Sequence, residues 1–134
     1  MTLRDLVSVA PRFTRSVNLE RDAGLVRATE GYILTSTAQA VLERLAASLS
    51  IPAGQRSWTI TGPFGSGKSA FALYLSQLVG PPETLQAKAA RALLKSQAPH
   101  LQEPLLDRRT KHAVLREGYC TLSSTTSPLT RLGR

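Results

Sequence analysis

Residues 59–79 read TITGPFGSGKSAFALYLSQLV. No other stretch constrains the fold as strongly. It sets a β-branched run, a glycine-rich loop and a long apolar run in immediate succession. The loop fills the pattern G-x-x-x-x-G-K-[ST] with Gly62, Pro63, Phe64, Gly65, Ser66, Gly67, Lys68 and Ser69. Each part of that spacing has a physical use. Consecutive backbone N–H groups aimed inward from a tight loop form a concave anion site. Glycines admit backbone angles and a close approach that a side chain would block. A helix opening directly after the loop adds its free amides and the positive end of its dipole. Lys68 is a compact charge able to reach the β and γ phosphates of a phosphate chain. The Ser69 hydroxyl is placed for a Mg²⁺ ion bridging the same phosphates.

The flanks fit the same pattern. RSWTIT, residues 56–61, is rich in β-branched and aromatic residues and predicts a short buried strand. KSAFALYLSQLV, residues 68–79, is apolar almost all round and predicts a helix packed on a sheet. Gly80, Pro81 and Pro82 end it. Upstream, STAQAVLERLAASLS predicts a helix over residues 36–50, with Ser36 and Gln39 as a capping box and Pro52 and Gly54 as its stop. Leu42, Leu45, Ala46 and Leu49 would form its apolar face. Downstream, a third helix should open at Pro82, burying Leu85, Ala89, Ala92 and Leu93, with Lys88, Arg91 and Lys95 on another side. Arg15–Leu19 suggests a short strand or a turn, and Asp22 and Gly24 carry turn chemistry. KHAVLREGYCTL, residues 111–122, suggests a second strand or a hairpin. Residues 123–134 carry no periodic apolar pattern and are expected to form a disordered tail.

On these residues the chain resembles the P-loop NTPase superfamily, through its Walker A loop. The resemblance covers residues 56–80, and more loosely 32–55. A helix just upstream of the first strand is similar to the arrangement in AAA-type and STAND-type ATPases. The GPFGSGKS form resembles the loop of large bacterial ATPases of phage-defence and DNA-processing systems. The resemblance implies an α/β fold: a partial P-loop domain of strand, loop and helix with flanking helices and an incomplete parallel sheet. It divides the chain into an N-terminal segment over 1–55, the start of the P-loop domain over 56–122 and the tail. It implies ATP and Mg²⁺ as ligands, residues 62–69 as the nucleotide site, and other ATPase subunits as partners. In AAA-like relatives the segment before the first strand helps hold adenine, which would bring Tyr32, Ile33 or Leu34 near the base.

The residues after Ser69 limit that expectation. A hydrolase of this kind needs an apolar strand tipped by an acid that holds Mg²⁺. Asp107 comes after only PLL behind Pro104, and Glu117 comes after AVLR, broken by Arg116. Neither makes an acid-tipped strand. A doubly wound sheet needs about five strands, and 134 residues leave space for one or two after the loop. The chain therefore reads as the N-terminal part of a longer ATPase. Two other readings stand beside it: a small P-loop kinase, with Arg108 and Arg109 as lid arginines, and a non-catalytic fragment that binds nucleic acid or a partner chain.

Composition bears on the last of these. The chain carries 17 Lys and Arg against 9 Asp and Glu, a net charge of +8. The positive residues gather in the second half, at Lys88, Arg91, Lys95, Arg108, Arg109, Lys111 and Arg116. Such a run can track a phosphate backbone, but no aromatics interleave with it for base stacking. The single cysteine, Cys120, excludes an internal disulfide, and His100 and His112 lie in no metal-ligand spacing. No apolar run approaches membrane-spanning length, and the expected compartment is the cytoplasm.

Overall fold

The computed structural model describes residues 7–9, 15–51 and 57–106. Five helices occur among them: α1 (Leu19–Asp22), α2 (Ser36–Ser50), α3 (Lys68–Val79), α4 (Leu85–Gln97) and α5 (Gln102–Leu106), with 3₁₀ turns at Val26–Thr29 and Pro99–Leu101. The described residues are 62% helical and contain no strand or sheet. The expected α/β fold with an incomplete parallel sheet is therefore not what the chain adopts here. Residues 57–61 run into the loop as non-regular backbone, exposed throughout. No other described segment lies beside them as a ladder partner. A β-rich run without a neighbour forms no strand, because propensity expresses fit to a pleated surface more than a backbone preference. The second strand expected over 111–122, the tail over 123–134, Asp107, Glu117 and the basic residues beyond Lys95 lie outside the described residues, as do Pro52 and Gly54.

The apolar surface of α3 is buried by helices rather than by a sheet. Phe71, Leu73, Tyr74, Leu75 and Leu78 are buried along it. α3 packs along α4 and also meets α1 and the 26–29 turn. α2 packs on α5 and on the 99–101 turn. One core joins these layers: Leu34, Ala38, Leu42 and Ala46 from the α2 side, Tyr74, Leu75 and Leu78 from α3, Ala90 and Leu94 from α4, and Leu101 and Leu105 from the last turns. Tyr74 is completely enclosed and stacks on Tyr32, with ring centroids 5.0 Å apart and planes 22° from parallel. Its hydroxyl donates to the carbonyl of Ala90 at 3.4 Å. Burial, and then the neighbouring Tyr32, pushes the Tyr74 phenol well above its ordinary value.

Local chemistry sets the helix ends. α2 spans the expected residues, but its cap is Thr35, whose side chain accepts from the N–H of Ala38 at 3.3 Å. Gln39 reaches back to the carbonyl of Leu34 at 3.3 Å. Ser36 is already the first helical residue, so the expected Ser36–Gln39 capping box does not form and Thr35 caps the helix alone. α4 begins at Leu85 rather than Pro82, because Pro82 and Glu83 form a turn and Thr84 caps the helix through the N–H of Ala87 at 3.2 Å. Packing against α3 buries Ala87, Ala90 and Leu94 instead of the expected face: Leu85 is 65% exposed, Ala92 is exposed, and Ala89 and Leu93 are half-buried. Two of those three residues are alanines, and small side chains on the inner face let α4 approach α3 closely. Near Arg15–Leu19 the chain makes no strand. Asn18 caps α1, accepting from the N–H of Arg21 at 3.0 Å.

The segment from Ala23 to Leu34 has little secondary structure of its own, and three glutamine amides hold it. Gln77, buried on α3, donates to the carbonyls of Ala23 and Leu25 at 3.2 and 3.1 Å and accepts from the Thr29 hydroxyl at 3.0 Å. Gln86 donates to the carbonyl of Gly24 at 2.7 Å. Gln97 accepts from the N–H of Leu34 at 2.6 Å and donates to the carbonyl of Tyr32 at 3.0 Å. Nearby, Arg15, Arg21 and the N–H of Asn18 all donate to the buried carboxylate of Asp22. The Arg21 hydrogen bond, then that from Asn18, holds this carboxyl far below the usual range. Backbone groups of this segment that turns leave over are thus paired with side chains. Replacing Gln77 with Leu keeps the bulk but strands the Ala23 carbonyl and the Thr29 hydroxyl, and leaves the Leu25 carbonyl to the N–H of Ala28. The expected loss is about 1–3 kcal/mol, read by urea unfolding, with the protease susceptibility of residues 23–29 rising in step.

Candidate phosphate-binding loop

Residues 57–61 deliver the chain to Gly62, a turn at Phe64 and Gly65 reverses it, and α3 opens at Lys68. Gly65 and Gly67 have φ of +78° and +81°. Both lie in the left-handed region, where a side chain costs about 1–2 kcal/mol, so the two glycines are required by the path of the loop. Gly67 is the N-cap of α3, and no side chain caps it. The first intrahelical bond runs from the N–H of Phe71 to the carbonyl of Gly67 at 2.9 Å. The preceding amides of the first turn have no carbonyl four residues back to pair with, which is the common state of a helix start. Their direction favours an anion at this end.

Lys68 folds back over the loop it terminates. Its Nζ donates to the carbonyls of Gly62 and Pro63 at 2.8 and 2.7 Å, with the Ser66 hydroxyl at 3.4 Å. The N–H of Ser66 donates to the carbonyl of Pro63 at 3.4 Å and closes the turn. The ammonium is thereby held inside the loop's own curve. Gly62 keeps this arrangement compact, since a Cβ there would lie 3.3 Å from the Ser66 Oγ and 3.7 Å from the Lys68 Cδ. Ser69 sits on the outer side of the first turn and is exposed. Phe64, at the tip, is fully exposed. The loop is open to solvent, while the helix behind it is anchored by Phe71, Tyr74 and Leu78 in the core and by Gln77 on residues 23–29.

The far end of α3 is also fixed. Arg91 donates from Nε to the carbonyl of Leu78 at 3.3 Å and from Nη2 to that of Gly80 at 3.0 Å. Its charge sits where the helix dipole favours a cation. Arg91 therefore caps α3 instead of joining Lys88 and Lys95 in a free basic face. The sequence signal for this is a long cation on the helix after a Gly-Pro-Pro stop, but the same residue fits a solvated stripe equally well.

The other nominated residues are dispersed. Tyr32 stacks on Tyr74, Leu34 is buried in the core and Ile33 is 72% exposed. Two shallow clefts, of about 300 and 240 Å³, lie on either side of the Val26–Thr29 turn, and neither is lined by residues 62–69. Among the described residues no three His, Cys, Asp or Glu side chains stand together as a metal site. No described helix is long and apolar enough to cross a membrane. No protein-family model, curated protein or solved structure matches the chain.

Proposed function

We propose that residues 62–69 bind the phosphates of ATP as its Mg²⁺ complex, as in the P-loop NTPases that the motif resembles. The observation that carries this reading is the Lys68 ammonium gathered into the loop by Gly62, Pro63 and Ser66. Two left-handed glycines and an uncapped helix start stand beside it. On binding, Lys68 exchanges neutral carbonyl partners for phosphate oxygens, so that donor and acceptor both carry charge. Gly65 and Gly67 contribute backbone N–H groups, and the N–H of Ser66 joins them by leaving its 3.4 Å contact with the Pro63 carbonyl. Ser69 supplies a hydroxyl to Mg²⁺, whose other ligands are phosphate oxygens and water, the usual pattern for this ion. Nothing in this proposal requires a sheet: the loop is carried by a helical scaffold.

The experiment is a pair of ATP titrations, with and without Mg²⁺, on the wild type and on Ser69→Ala. The wild type should bind more tightly when Mg²⁺ is present. Ser69→Ala should lose most of that difference while keeping its metal-free affinity within about threefold, because only one oxygen ligand of the metal is removed. Equal metal dependence in both proteins would take Ser69 out of the site.

A further inference from the structure

We draw no further inference here: the strongest candidate, the exposed apolar patch of Trp58, Ile60 and Phe64 leading into and capping the phosphate loop, carries nothing because nothing in the structure shows what covers it.

Discussion

Lys68→Ala should abolish measurable ATP binding while leaving the helical content unchanged. The side chain hydrogen-bonds to the loop, through Gly62, Pro63 and Ser66, and takes no part in the core. Its removal therefore costs the scaffold little. For the ligand the cost is large. A hydrogen bond to a charged partner contributes about 1.5–3 kcal/mol, and Lys68 can make two or more with a polyphosphate. The expected loss is on the order of a hundredfold or greater in Kd. Titration of a fluorescent ATP analogue, with far-ultraviolet circular dichroism as the folding control, reads both effects. Lys68→Arg should recover only part of the affinity, because a planar guanidinium does not reproduce a point charge inside so tight a curve. A Lys68→Ala protein that binds as the wild type does would remove the loop from the function.

The largest effect on stability is expected from Leu78→Ala. Leu78 is completely buried where α3 meets the common core. Emptying that volume should cost about 2–5 kcal/mol, against a total stability of roughly 5–15 kcal/mol for a domain of ordinary size. Tm should fall by more than about 10 °C. The control lies on the neighbouring helix. Leu85→Ala, at a site 65% exposed, should change stability by less than about 0.5 kcal/mol. The pair tests the packing directly, since the helical periodicity of the sequence alone assigns Leu85 to the buried face. If Leu85→Ala is as damaging as Leu78→Ala, α4 is turned the other way.

The same contrast separates the legible parts of the sequence from the rest. The span of α2, Ser36–Ser50, is readable from its helical leucine spacing and the stop after it, although its cap is Thr35 and not Ser36. The extent of α3 is readable because glycine precedes it and Gly-Pro-Pro comes after it. The inner face of α4 is not. Its sequence, LQAKAARALLKSQ, offers alanines and leucines at several registers, and packing against α3 selects the alanine-lined one. The run at 57–61 misleads for a related reason. Trp, Thr and Ile favour a pleated neighbour, but propensity does not say whether a neighbour is present.

The anchoring role of the glutamines is absent from the sequence reading altogether. Gln77 stands out in an otherwise apolar helix, and a polar amide there signals a buried partner. Which partner depends on carbonyls more than 50 residues away in sequence. The loop is legible residue by residue, because its spacing carries its chemistry. The inward turn of Lys68 onto the carbonyls of Gly62 and Pro63 is visible only in three dimensions.

Binding of a nucleoside triphosphate by this loop, borne on a helical scaffold, can be measured. Its most direct test is an isothermal titration of the folded wild-type chain with Mg²⁺ and ATP, repeated in the presence of inorganic tripolyphosphate. Binding should saturate at one site per chain and weaken in competition with tripolyphosphate, because the phosphates supply the main contacts. A chain with the helical signature of the fold that gives no binding heat with either ligand would contradict it.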